Sequence, residues 1–328
     1  MKKLATAQQN TVLKSIISRS FPQILLTIVL IVLIIALSVA SEYFFTWTNF
    51  RNILDQCSVY LILSLGMTFV IASGGIDLSV GSVAGMSGVI MAVLMKAGLP
   101  VLPAVVLGIL SGIISGIANG AIVSMLKINP FITTLATMTI TRGIALVLTG
   151  GVSIYGFAQS FKWWGTGTIG LLNPPIVISL VFTAIAVVIM GRTLWGKYSL
   201  ALGSNAEALR RSGVNIKGYR ISIYAISGLC AAIAGLIMTA RLNSAAPLAG
   251  SGYEMDAIAA VVLGGGSLNG GRGSIIGTFI ACFTLSVLRN GLTILSIPTY
   301  YQQLITGVII LLAIIIAEIR NRREKEAA

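Results

Sequence analysis

The chain contains no histidine, and charged residues fill only 9% of its 328 positions. Without imidazole there is no histidine base, metal ligand or proton relay. An ordinary soluble domain carries about 25% charged residues, so a soluble globular protein of this size is excluded. Cysteine is nearly as scarce. Cys57, Cys230 and Cys282 all lie inside apolar segments, with no CxxC and no ligand-like spacing. They read as buried free thiols, so no disulfide, metal or cofactor is expected. Acidic residues are also few, 9 against 22 Lys+Arg, for a net charge of +13. That excess does not mark a nucleic-acid surface. The basic residues gather in short polar stretches between apolar blocks, the positive-inside pattern of a membrane protein.

What is abundant is apolar surface, 56% of the chain. It comes in blocks that approach the ~20 residues needed to cross a bilayer. Ten segments are read, at about 21–40, 56–73, 80–96, 103–126, 131–149, 175–190, 221–240, 255–265, 274–293 and 303–318. The fold class is therefore an all-α polytopic helix bundle of about ten transmembrane helices. The segment 255–265 is short for a full crossing and reads equally as a broken or re-entrant helix. Lys2, Lys3, Lys14 and Arg19 precede a first block ending Ser38-Val39-Ala40, which resembles a signal-peptidase site. The block is longer than the ~7–15 residues of a secretory core, so a retained span is expected.

Ten crossings put both termini on one side. With the N-terminus inside, 16 of the 22 Lys+Arg fall on the inner side, including six between Arg192 and Arg220. The flipped arrangement would put that basic loop outside, against the rule. Both termini are expected in the cytoplasm. The chain divides into a cytoplasmic segment 1–20, a transmembrane domain 21–318 with a cytoplasmic loop at about 191–220, and a tail 319–328. Gly108, Gly112, Gly116 and Gly120 recur every four residues. They read as a face for close helix packing, or as a sliding surface between the halves of a gate.

Two glycine-rich loops interrupt the apolar blocks on the expected inner side, Gly74–Gly81 and Leu263–Gly273. In the second, Gly266-x4-Gly271 has the glycine spacing of a phosphate loop. Arg272 stands where lysine is needed, and Gly273 where Ser or Thr is needed. No nucleotide site is read, so the chain has no ATPase of its own. In the first loop, Asp77 and Ser79 either cap the next helix or help close the inner pathway. Glu254 and Asp256 open the eighth segment, where they suit a helix N-terminus or contact a polar solute or a partner.

Arg142 lies inside an apolar segment, where ionisable residues are functional candidates, although it is within snorkelling reach of the interface. On the same segment, after Asn129-Pro130-Phe131, stand Thr133, Thr134, Thr137, Thr139 and Thr141. Thr133, Thr137 and Thr141 share one face, whose hydroxyls either meet a sugar or bond back to their own helix. Tyr155, Phe157, Phe161, Trp163 and Trp164 form an aromatic stretch, read as an interfacial belt or as contact with a soluble delivery protein. In the 191–220 loop a short helix is expected across Asn205–Ser212, with Asn205 as cap and Gly213 as stop. It is either a solvated basic loop or a lever for an external motor.

Several of these stretches resemble ribose-type ABC sugar permeases. The matching segments are Gly66-Met67-Thr68-x-Val70-Ile71-x-Ser73-Gly74-Gly75-Ile76-Asp77-Leu78-Ser79-Val80-Gly81 and Gly203-x-Asn205-x-x-Ala208-x-Arg210-x-Ser212-Gly213-Val214-Asn215. Gly252-Tyr253-Glu254-x-Asp256 through Gly265, and Asn290-Gly291-Leu292 with Tyr300-Tyr301-Gln302, are further matches. The resemblance covers about residues 45–318. It implies a multi-pass permease of the bacterial inner membrane, not an enzyme, working by alternating access. The implied partners are a second permease copy, an ATPase subunit with two nucleotide-binding domains, a periplasmic or extracellular sugar-binding protein and the surrounding lipid. It also implies ATPase coupling through Asn205, Ala208, Arg210, Arg211, Ser212 and Gly213. The pathway and gate candidates are Asp77, Ser79, Asn129, Phe131, Thr134, Thr137, Thr141, Arg142, Glu254 and Asp256. A branched-chain amino acid permease is the nearest alternative. An ion-coupled transporter is disfavoured, because no Asp or Glu is read mid-span and there is no histidine.

Overall fold

The computed structural model describes residues 23–326. The amino-terminal segment 1–20 and the last two residues of the 319–328 tail lie outside the described residues. Twelve helices run through the described chain. They are α1 (Gln23–Ala40), α2 (Trp47–Ala72), α3 (Val80–Lys96), α4 (Val101–Met125), α5 (Pro130–Thr149), α6 (Gln159–Thr166), α7 (Pro174–Arg192), α8 (Leu194–Arg211), α9 (Ile216–Leu242), α10 (Tyr253–Leu263), α11 (Ile275–Ile294) and α12 (Thr299–Glu326). The only sheet among the described residues is a two-residue pairing, β1 (Ile154–Tyr155) antiparallel to β2 (Ser244–Ala245). Seven helices, α1, α2, α4, α5, α7, α9 and α11, are long and apolar enough to cross a membrane. The chain is an all-α polytopic membrane protein.

Local chemistry sets the helix ends. Thr46 caps α2 through the Asn49 amide, Asn215 caps α9 through the Gly218 amide, and Ser274 caps α11 through the Gly277 amide. Pro130 starts α5 and Pro174 starts α7, at positions where a missing N–H costs nothing. Two of the apolar segments form short helices. α3 has 17 residues, about 25 Å, and α10 has 11, about 16 Å. Neither length spans ~30 Å of hydrocarbon by itself.

α2 and α9 form the buried axis, and α11 packs beside α2. α1, α4, α5 and α7 lie outside them with most of their surface uncovered, as lipid contact requires. In the glycine ladder of α4, Gly108 faces Met91 of α3 and Gly112, Gly116 and Gly120 lie along α9: a Cβ on Gly116 would sit 2.1 Å from the Tyr224 carbonyl oxygen. Main chains touch along this seam, which is how small residues let helices associate where the hydrophobic effect is absent.

The ends of the bundle are distinguishable. One face gathers the ends of α2 and α7, the starts of α9 and α11, and α8, which lies across them. Gln23 at the start of α1 donates to Ser274 on this α8 face. The opposite face carries the β1–β2 pairing and α6. There the aromatic stretch turns partly inward, contrary to a simple lipid belt. Phe157 and Phe161 are buried edge to face, 5.2 Å between centroids, while Tyr155 and Trp163 are exposed.

Candidate functional site

Between α2 and α3 the chain breaks at Ser73–Ser79, and this break is the centre of a buried polar network. One Asp77 carboxylate oxygen accepts from the Ser79 amide at 3.0 Å and the Ser79 hydroxyl at 2.6 Å, and the other accepts from Ser227 on α9 at 2.8 Å. Asn119 on α4 donates to the Ser79 hydroxyl at 2.9 Å and accepts from Thr137 on α5 at 2.6 Å. Thr134 accepts from the Leu78 amide, Thr141 donates to Ser82, and Tyr224 donates to the Ile76 carbonyl. Asp77 is only 2% exposed. Its carboxylate satisfies local donors and ties the break to α9. Of the threonines, Thr134 bonds this break to α5, Thr141 bonds α3 and Thr137 bonds Asn119 of α4, while Thr134 and Thr141 also bond back to their own helix. Thr133 bonds back to Asn129.

Two candidates stand elsewhere. Phe131 is about half exposed on the outside of α5, away from the interior. Asn129 is an exposed helix cap whose side chain accepts from the Phe131 amide. Asn119, fully buried, is a member of the network that sequence reasoning missed, as are Ser82, Tyr224 and Ser227. One asparagine among the glycines of α4 was its only signal.

α10 is the second break. After α9 ends, residues 243–252 turn back into the bundle and α10 starts against α3, with the Gly250 carbonyl on Gly81. Arg142 reaches inward and donates to the carbonyls of Pro247 at 3.0 Å and Ala249 at 2.7 Å. It is a clasp on this returning segment, not a residue stretched toward the interface. Glu254 is 8% exposed at the start of α10, with one oxygen accepting from the Gly252 amide. Two helices, α3 and α10, therefore begin face to face inside the bundle. Their free N–H ends favour a nearby carboxylate.

Beside this junction, toward the face away from α8, is a cavity of about 160 Å³ lined by α2, α9, α10 and α11. Its walls are Gln56, Tyr60, Arg241, Tyr253, Ser286 and Arg289, with apolar Val59, Met238 and Leu242. The rings of Tyr60 and Tyr253 lie 4.7 Å apart at 49°. Arg289 lies over Tyr60 at 5.0 Å and is paired with Asp256. Of the sequence candidates only Asp256 comes near, through its pair with the wall residue Arg289. Tertiary packing of four helices assembles the rest, and nothing in their spacing announces it.

α2 also begins earlier than its apolar segment, so it holds a carboxylate that was read as lying outside any span. Asp55 is buried near the outer part of α2 and accepts from Asn173, while Arg241 donates to its backbone carbonyl at 3.3 Å. Asn290 likewise donates to Asn49 at 2.8 Å. These polar pairs let α2 extend past the point where hydropathy fails.

On the α8 face, the two glycine loops meet. The Gly271 amide donates to the Ala72 carbonyl at 2.8 Å. Gly203 of α8 lies against both, because a Cβ there would sit 2.1 Å from the Ala72 oxygen and 2.4 Å from the Gly271 nitrogen. α8 is kinked at Asn205 (φ −157°, ψ 89°), whose side chain caps the second piece through the Ala208 amide. Leu202 and Leu209 are buried anchors, and Trp195 donates to Ser222 of α9. Ala208, Arg210, Arg211, Ser212 and Gly213 are exposed. Glu207 accepts from Arg210 at 2.8 Å and from Arg211 at 3.2 Å, and the Arg210 guanidinium, with Arg211, holds its carboxyl below the usual range. Gly213, with φ +82°, ends the element. A kinked helix thus exposes a charged outer piece while its root touches both glycine loops.

A polar cavity between four helices, helices broken inside the bundle and the exposed charged piece of α8 suit a membrane transport protein. A sequence model of the family described as "Branched-chain amino acid transport system / permease component" matches residues 49–314, and the chain belongs to that family. The ribose import permease protein of Escherichia coli K12 is 43% identical over 294 residues, covering 88% of this chain and 91% of that protein. The ribose import permease protein of Bacillus subtilis 168 is 43% identical over 290 residues, 88% and 90%. The D-allose transport system permease protein of E. coli K12 is 38% identical over 292 residues, 88% and 89%. No solved structure matches the chain. It is a multi-pass protein of the bacterial inner membrane whose role is transport, not catalysis.

Proposed function

We propose that the chain is the translocating subunit of an ATP-binding-cassette importer for ribose or a similar monosaccharide. Two copies form the conduit by alternating access. A separate ATPase with two nucleotide-binding domains docks on the α8 face, and a periplasmic or extracellular sugar-binding protein delivers the solute to the other. The membrane domain runs from about 21 to 318 in ten crossings, with α3, α12 and the 243–263 segment completing the seven long spans. The segment 1–20 and the tail 319–328 are cytoplasmic, as is the loop at 191–220. Import of ribose by relatives that match along most of the chain supports the substrate.

The observation that carries the reading is α8. Its exposed outer piece, Asn205–Gly213, offers a partner charged and polar side chains, while Gly203 at its root abuts both the Ser73–Ser79 break and the 264–273 loop. Motion imposed on it reaches the two broken spans directly. An ATPase that closes on ATP would thus be coupled to the pathway, and the coupling acts in both directions. The test is sugar uptake in proteoliposomes. Uptake of D-ribose should require the ATPase, ATP and the binding protein, and should fall in Arg210→Glu/Arg211→Glu chains that still insert. Uptake by this chain alone refutes the reading.

A further inference from the structure

We infer that the cavity between α2, α9, α10 and α11 is a solute-binding site within a single copy of the chain, built for an uncharged ring polyol. The inference rests on the importer reading for the side it opens to and for its ligand class, and it adds where and how the solute is held.

Three observations carry it. The cavity has one aromatic wall, Tyr60 and Tyr253, whose tilted faces suit the C–H face of a sugar ring. Around that wall stand the hydrogen-bonding groups of Gln56, Ser286, Arg241 and Arg289. This is the composition of a small-molecule site, an apolar surface with a few convergent polar groups. The third observation is charge. Arg289 is paired with Asp256, and Arg241 binds the backbone of Asp55 and lies in the field of that carboxylate. Arg289 is thus matched by a carboxylate, and Arg241 is engaged by a main-chain oxygen with a second carboxylate nearby. A carboxylate solute would have to compete with Asp256 for Arg289, and an ammonium solute would have to displace Arg289 from Asp256. Breaking a desolvated pair leaves an uncompensated charge. A zwitterionic amino acid meets both penalties, whereas a neutral polyol meets neither and can use the free edges of the paired groups. The family description names amino acids, and this cavity argues against them for this chain.

The side chains that make the site can report on it. The native thiols Cys57, Cys230 and Cys282 are buried, so the full-length chain in membrane vesicles gives little background with an impermeant thiosulfonate reagent. Gln56→Cys should become reactive from the side facing away from α8. D-ribose should slow the labelling, by about twofold at a concentration equal to its dissociation constant, and L-leucine should not. Tyr253→Ala should abolish the protection while leaving the labelling itself. Ser286→Cys serves as a second reporter should Gln56→Cys fail to accumulate. Absence of labelling in both reporters, labelling unchanged by D-ribose, or equal protection by L-leucine each overturns the inference. ATP enters none of these measurements. Their failure therefore leaves ATP-driven import standing, and ATP-independent uptake would leave this site standing.

Discussion

Replacing Gly203 with alanine sets two ordinary effects against each other. Gly203 is helical, and alanine in a helix interior is favoured over glycine by about 1 kcal/mol. The new Cβ, however, would stand 2.1 Å from the Ala72 carbonyl oxygen, 2.4 Å from the Gly271 nitrogen and 3.0 Å from the Gly270 Cα. All three are main-chain atoms, and the first two already share a hydrogen bond. Nothing can rotate away, so the backbones must part by roughly 1 Å, and overpacking of this kind costs about 1–3 kcal/mol. The clash wins, for a net loss of up to about 2 kcal/mol. Gly143 on α5 is the control, because a Cβ there meets nothing within 4 Å and only the helix preference operates. Thermal unfolding of the purified chain in detergent, followed by its tryptophan emission, should show Gly203→Ala below wild type and Gly143→Ala at or above it. A Gly203→Ala chain as stable as wild type, or more so, would refute the three-backbone contact.

The polar network at the α2–α3 break should behave as a coupled unit. Asn119→Ala and Thr137→Val should each lower stability, and a double-mutant cycle should give a coupling of about 0.6 kcal/mol and no more than about 1.7, the range for hydrogen bonds between membrane helices; strictly additive effects would count against the bond. Arg142→Met keeps the apolar stem but removes the clasp on Pro247 and Ala249. Charged hydrogen bonds contribute about 1.5–3 kcal/mol, so amide exchange in 244–252 should accelerate about tenfold or more while α9 is unchanged. Equal exchange in both chains would mean that the clasp holds nothing.

The parts of the molecule written in local chemistry were legible. Among the described residues each apolar block overlaps a helix, Asn205 caps the second piece of α8, and Gly213 ends it in a left-handed conformation. Where partners lie far along the chain, the residue type alone could not decide. Arg142 looks the same to hydropathy whether it snorkels or bonds a carbonyl 107 residues away. Asp55 looked extramembranous because Asn173, which accommodates it, is 118 residues distant. The cavity was invisible for a related reason. Tyr60, Arg241, Tyr253 and Arg289 sit on four helices, and each one alone reads as an ordinary interfacial side chain.

The two short helices also bear on how the protein is made. α10 covers about 16 Å, and the residues before it, 243–252, are irregular backbone inside the bundle. Such backbone is stable at membrane depth only where protein covers it. Arg142 of α5 holds this segment and α10 packs on α2 and α3, all synthesised earlier, whereas its other neighbours, α11 and α12, are synthesised later. One side of α10 is therefore covered as it emerges and the other only by the chain that follows, so a ribosome stalled after α10 would leave that helix half covered. The last third of the sequence completes the earlier helices in the membrane as much as it adds to them.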